Sequence, residues 1–174
     1  MRRLTSWILY WFEQRQLASE MLSAIRDKDR RRIESLIELG FDANRPLRGS
    51  TLLEHAVRWD DRKLITFLLE RGVRIRRNPW LIYNAIENQN LQVVEAAIKQ
   101  GADINRGPWH CLSPLELAVT NRDLVAIQFL IENGARETSL RFVRWHAVAP
   151  DVAKVLQGFG FYVDPVAFTK YDSK

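Results

Sequence analysis

The chain has 174 residues, 47% hydrophobic and 27% charged, enough apolar material for a core within the size of one domain or one short repeat array. Its 26 Lys and Arg against 21 Asp and Glu leave a net charge of +5 and a pI near 9.7; so modest an excess suits acidic protein, nucleic acid or anionic membrane, and equally plain solubility. The single cysteine, Cys111, excludes an internal disulfide and a zinc site built from thiolates. It fits a reducing compartment, so a cytoplasmic location is expected, and no apolar run approaches the roughly 20 residues that span a bilayer.

Leu4 to Phe12 reads Leu-Thr-Ser-Trp-Ile-Leu-Tyr-Trp-Phe behind Arg2 and Arg3. The apolar part is too short and too polar for a good secretory signal, because it holds Thr5 and Ser6 and runs into Glu13-Gln14-Arg15-Gln16. Residues 1–18 are expected to form an aromatic capping helix over the first repeat, with a membrane-surface or partner-binding helix and a cleaved signal as the alternatives.

From about residue 19 the chain repeats. A glycine closes an apolar, helix-periodic run at Gly40, Gly72, Gly101 and Gly134, at intervals of 32, 29 and 33 residues, and a weaker copy ends at Gly160, 26 residues later. Counting back 21 positions gives unit starts at Ser19, Thr51, Trp80, Ser113 and Ser139, and five residues past the first four lie Ala24, Ala56, Ala85 and Ala118. The set Ile33, Leu36, Ile37 recurs as Ile65, Leu68, Leu69, then Val94, Ala97, Ile98, then Ile127, Leu130, Ile131, all spaced i, i+3, i+4 on one helical face. Each unit therefore reads as a short helix, a polar turn (27–29, 59–61, 88–90 and 121–123), a second helix and a glycine stop. The interval to Gly101 is short, so the turn from Arg74 to Pro79 is expected to be clipped.

Gly101-Ala102-Asp103-Ile104-Asn105 resembles the Gly-Ala-Asp-Val-Asn of ankyrin repeats, and Ser113-Pro114-Leu115-Glu116-Leu117-Ala118 resembles their Thr-Pro-Leu-His-Leu-Ala. Looser copies begin at Gly40 and Thr51. The resemblance implies an all-α fold, an ankyrin-repeat solenoid of stacked helix-turn-helix units with connecting turn or hairpin tips, spanning residues 19–138 with units starting near 19, 51, 80 and 113. The family's histidine after Pro-Leu, which ties helix to turn, is replaced here by Glu54, Tyr83 and Glu116.

Residues 139–174 read as a degenerate closing repeat and aromatic tail. Phe159, Phe161, Tyr162, Phe168 and Tyr171 make it too apolar for a disordered segment, so it is expected to fold against the last helices.

No catalytic pattern emerges. His55, His110 and His146 form no His-x-x-x-His or Glu-x-x-His pair, His110 beside Cys111 lacks a third group to orient it, and Gly158-Phe159-Gly160 ends a helix instead of opening one on a phosphate. The chain is expected to have no catalytic residues, metal or cofactor, and to be no enzyme.

What the resemblance implies instead is partner binding through a concave face built from tips and first-helix ends. That mapping puts Leu47, Arg48 and Ser50 on the first tip, Arg76, Arg77 and Pro79 on the second, and Trp109, His110 and Leu112 on the third; Arg58, Trp59, Glu87, Asn88 and Asn121 lie among the helix ends. Arginine and tryptophan carry interface energy out of proportion to their number. With Arg45 the arginines make this face cationic, so the expected partner is an acidic protein, bound by an inhibitor or immunity-type factor that occupies a site. Nucleic acid or a membrane surface reached through Leu4 to Phe12 is the alternative.

Overall fold

A computed structural model describes residues 2–75, 78–109, 111–141, 143–144 and 147–164, with residues 2–14 described by their backbone alone. Among the described residues the regular elements are nine α-helices and one 3-10 turn: α1 (Arg2–Asp27), α2 (Arg30–Glu38), α3 (Leu52–Arg58), α4 (Arg62–Glu70), α5 (Pro79–Glu87), α6 (Leu91–Lys99), α7 (Pro114–Thr120), α8 (Leu124–Glu132), the 3-10 turn Glu137–Ser139, and α9 (Pro150–Gly158). The chain divides into two compact units, Met1–Arg74 and Ile75–Lys174.

In the first unit α1 packs on α2 and α3 on α4. Residues 1–18 do not form a helix separate from the unit expected at Ser19: α1 runs through that point without a break. Nothing between Glu13 and Met21 can stop a helix, since the stretch holds neither glycine nor proline and consists mostly of strong helix formers. In the second unit α5 pairs with α6, α7 with α8, α5 packs against α7, and α9 lies on α8.

The glycine stops fall where the repeat puts them. Gly40, Gly72, Gly101, Gly134 and Gly160 all take positive φ, between 67° and 99°. Each ends its helix by the same paired bonds: at the first, the Gly40 N–H donates to the Ile37 carbonyl (3.0 Å) and the Phe41 N–H to the Leu36 carbonyl (3.0 Å).

The turns inside each pair use the same closure without glycine. Lys28, Asp60, Gln89 and Arg122 hold φ of 52° to 55°, and the residue after each donates its N–H back to the recurring alanine, as Asp61 does to the Ala56 carbonyl (3.0 Å) and Asp123 to that of Ala118 (3.0 Å). That residue is also the N-cap of the second helix. Asp29, Asp61 and Asp123 accept from the backbone N–H groups of Arg32 (3.1 Å), Leu64 (3.0 Å) and Ala126 (3.0 Å). Ala24, Ala56, Ala85 and Ala118 are all fully buried, which accounts for a small side chain at the place where two helices of a pair meet the turn. Of each periodic apolar set, the first two members are buried and the third is half-buried.

Successive post-glycine loops are tied by amide side chains. Asn44 Oδ1 accepts the Arg74 N–H (2.6 Å), and Asn105 Oδ1 accepts the Arg136 N–H (2.7 Å). In the clipped loop Gln100 substitutes, its Oε1 accepting the Ile75 N–H (2.8 Å).

Two boundaries shift. The cap of α5 is Asn78, whose Oδ1 accepts the Trp80 N–H (3.1 Å), and Pro79 is the first helical residue. The unit start at Trp80 thus lies inside the helix. Counting back a constant 21 positions presumed equal helices, whereas α5 has nine residues and α3 and α7 have seven. No α-helix is described between α8 and α9, so the closing unit keeps its second helix and glycine stop. Past Gly160 the Tyr162 N–H donates to Glu137 Oε1 (2.8 Å) and Val163 is buried, so the segment folds back as far as Asp164; Phe168 and Tyr171 lie outside the described residues.

Candidate interaction surface

The first tip closes on two backbone bonds between Leu47 and Ser50 (2.8 and 3.2 Å), with Arg48 at φ 50° and Gly49 at φ 86°, the backbone pattern of a two-residue hairpin turn whose central residues both take positive φ. It presents Arg48 to solvent, while Leu47, expected on the binding face, is buried: its side chain is what holds the tip down. Arg76 and Arg77 of the second tip and His110 of the third lie outside the described residues.

The third tip is tightly built. A Cβ on Gly107 would stand 2.2 Å from the Leu112 carbonyl oxygen, so the backbone passes itself there at a distance only glycine allows. Pro108 is buried, the Cys111 N–H donates to the Pro108 carbonyl (3.0 Å), and between them Trp109 is 82% exposed. Trp109 rims a cleft of about 520 Å³ lined also by Asn78, Pro79, Ile82, Asp103 and Arg106. Glu87, Asn88 and Asn121 do not line it; Glu87 and Asn121 are exposed at helix ends and Asn88 is half-buried.

Beneath this tip the glutamate found in place of histidine does its own tying. Ser113 Oγ accepts the Glu116 N–H (3.1 Å) while Glu116 Oε2 accepts the Ser113 N–H (2.8 Å), and Thr51 and Glu54 repeat the arrangement at 3.3 and 3.0 Å. These reciprocal capping boxes follow from Ser/Thr-x-x-Glu, a signature legible in the sequence and passed over in favour of the missing histidine. Ser113 adds a further bond, its hydroxyl donating to the Ser139 carbonyl (2.8 Å).

Trp59 behaves differently from Trp109. It is half-buried, its indole tilted 33° against His55 with ring centroids 5.5 Å apart. Burial and the neighbouring Arg58 hold the His55 pKa below its ordinary 6.5, partly opposed by Glu54. The folded imidazole therefore takes its proton only at lower pH than the unfolded one, so stability present above pH 6.5 declines as the pH falls below it. Urea midpoints at pH 7.5 and 5.5 should differ less for His55→Gln than for the natural chain; equal differences would remove His55 from the account.

A groove of about 600 Å³ runs beside Trp59, lined by Lys28, Arg30, Asp60, Asp61, Arg62 and Lys63. Arg58 is exposed next to it, but Arg48 is not among its lining residues. Lys28, Asp60 and Asp61 were read from the sequence as turn residues, whereas Arg30, Arg62 and Lys63 were not singled out, although Arg30-Arg31-Arg32 directly after a cap was the available signal. In the second unit Arg122, the left-handed residue between α7 and α8, grips Asp151 at the start of α9 with three N–O approaches of 2.8 to 3.1 Å, and this guanidinium lowers the Asp151 pKa.

Among the described residues no cluster of His, Cys, Asp and Glu could hold a metal ion, and no helix is long and apolar enough to cross a membrane. Compared with known proteins, the chain matches no family model and no curated protein.

Proposed function

We propose that this chain is an ankyrin-type repeat protein that binds a partner protein without catalysis, with tips and helix ends as its contact surface. The observation that carries the reading is Trp109, an indole held 82% exposed at the apex of a tip that Gly107 and buried Pro108 make rigid. An indole so placed buries little of its own surface, whereas a preorganised aromatic anchor loses little entropy on binding and is of a kind enriched among interface hot spots. The recurrence of glycine stops, left-handed turn residues and amide ties supports the repeat reading, and five or so such units in one small chain suit an inhibitor or immunity-type factor, in a reducing compartment such as the cytoplasm, that blocks its target by occupancy.

Affinity capture from a lysate of the native host, with nuclease treatment in parallel, tests this. The natural chain is expected to retain a protein that Trp109→Ala loses by tenfold or more, since truncating a buried aromatic anchor costs about 2 kcal/mol or more. Retention unchanged by Trp109→Ala, or abolished by nuclease, would refute the assignment.

A further inference from the structure

The charge of this molecule is not distributed as its repeats are. In the first unit, the two turns between paired helices and the helix starts that follow them (26–32 and 58–63) hold eight basic residues and four acidic ones. The corresponding segments of the second unit (87–92 and 120–125) hold one basic and two acidic. Eight minus four leaves these segments of the first unit at +4, whereas one minus two leaves their counterparts in the second at −1.

The four acids there are already engaged. Asp29 and Asp61 cap α2 and α4, Asp27 accepts from the Ser23 hydroxyl (3.3 Å), and Asp60 lies 3.6 Å from Arg62. By contrast Arg26, Lys28, Arg31, Arg32, Arg58 and Lys63 are all exposed and make no ion pair among the described residues.

The placement also opposes what the helices favour. The first turn of a helix stabilises anions and disfavours cations, because the N-terminal end of the macrodipole is positive. Yet α2 opens with Arg30-Arg31-Arg32 and α4 with Arg62-Lys63, whereas α6 and α8 open on Leu91-Gln92-Val93 and Leu124-Val125-Ala126 without a charge. Arg30 and Arg62 are held there by ion pairs with Glu34, Asp61 and Asp60, but Arg31, Arg32 and Lys63 make none among the described residues, so folding does not account for their placement.

We infer that this face, centred on the groove beside Trp59, is where an acidic segment of the partner protein docks. The inference rests on the protein-binding reading above and adds to it the surface and the chemistry. The four guanidinium and two ammonium groups of these turns and helix starts, of which Lys28 and Lys63 line the groove with Trp59, offer discrete donors that suit carboxylates. A nucleic acid is disfavoured on two counts. Its continuous phosphate track would pass over Asp60 and Asp61 in the groove lining, and the indole face that a base would stack on is partly taken by His55. A membrane would need apolar side chains to insert, and among residues 15–74 the only large one exposed is Leu39, at the far end of α2.

The test uses the full chain and fluorescence anisotropy with a labelled peptide of ten alternating Glu and Ser-Gly steps, against a ten-nucleotide thymidine oligonucleotide and vesicles one-quarter phosphatidylserine. Two variants match in net charge: Lys28→Glu, Arg31→Glu, Arg32→Glu, Lys63→Glu on this face, and Arg48→Glu, Arg106→Glu, Arg136→Glu, Arg141→Glu on the tips. The first is expected to weaken peptide binding at least tenfold and the second less than twofold. Equal losses would overturn the placement, and tighter binding of the oligonucleotide or the vesicles through the same four residues would overturn the partner class. The corresponding Gln variants at Arg31, Arg32 and Lys63 repeat the comparison should the reversal disturb folding; they are expected to melt no lower than the natural chain. Capture from lysate separates the two readings: a retained protein lost only with the tip variant sinks this docking face and leaves the binding module, while no retained protein beside localised peptide binding sinks the module.

Discussion

Ser113→Ala is expected to lower the unfolding free energy by about 2–4 kcal/mol, the largest loss among the single polar changes considered, whereas Thr51→Ala, at the matching place in the first unit, costs about 1 kcal/mol. Both remove an N-cap from a capping box. Thr51 Oγ1 meets the Glu54 N–H at 3.3 Å, and that cap is what the substitution deletes. Ser113 Oγ meets the Glu116 N–H at 3.1 Å and also donates to the Ser139 carbonyl at 2.8 Å. Ser113, Glu116 and Ser139 are all buried, so alanine strands a buried acceptor that water cannot reach. Urea unfolding of the two variants decides the matter by their ranking. Equal midpoints would mean that the bond from Ser113 to Ser139 contributes nothing.

Gly107→Ala is expected to cost about 1–3 kcal/mol and to abolish partner retention with it. The added Cβ would meet the Leu112 carbonyl oxygen at 2.2 Å, its carbon at 2.8 Å and the Ser113 nitrogen at 3.1 Å, all of them backbone. No side chain can turn aside, so the Leu112–Ser113 peptide must move, which disturbs the Ser113 cap and the aim of Trp109 together. Gly49→Ala is the internal comparison. It stands at φ 86° with nothing within 4 Å of its Cβ, so it meets only backbone strain, about 1 kcal/mol, and leaves Trp109 untouched. A Gly107→Ala chain that melts and captures like Gly49→Ala would show that the close approach is not what orders the tip.

The glycine stops and the buried alanines were legible because each answers a local demand that few residue types satisfy: a positive φ in one case, a close approach in the other. The same logic explains where the helix boundaries differ from the repeat count. Nothing in Glu13 to Met21 ends a helix, so the break at residue 18 came from the repeat count and not from the chemistry of the residues. The start at Trp80 came from treating helix length as constant, although Asn78-Pro79 is a plain cap and first-turn pair. At Glu54 and Glu116 attention to a missing histidine hid a capping box spelled out in four residues. The basic starts of the second helices were less legible, because the ankyrin resemblance directs contacts to tips and first-helix ends, where it does put Arg26, Arg58 and Trp59. Trp59 lines the groove and Arg58 precedes it, whereas Arg48 stands on a tip, Trp109, Glu87, Asn88 and Asn121 belong to the other unit, and Arg76, Arg77 and His110 lie outside the described residues.

The turn inside each helix pair carries a consequence for engineering. Its third residue closes the first helix through its N–H and opens the second as its N-cap, so the two helices share a residue and leave none spare. An insertion there breaks both at once. The tips obey no such rule, since six positions separate Gly72 from the cap Asn78, eleven separate Gly40 from Thr51, and twelve separate Gly101 from Ser113. Foreign sequence grafted between Arg45 and Pro46, both exposed in the first tip, leaves the helix ends intact; the same segment grafted between Trp59 and Asp61 does not.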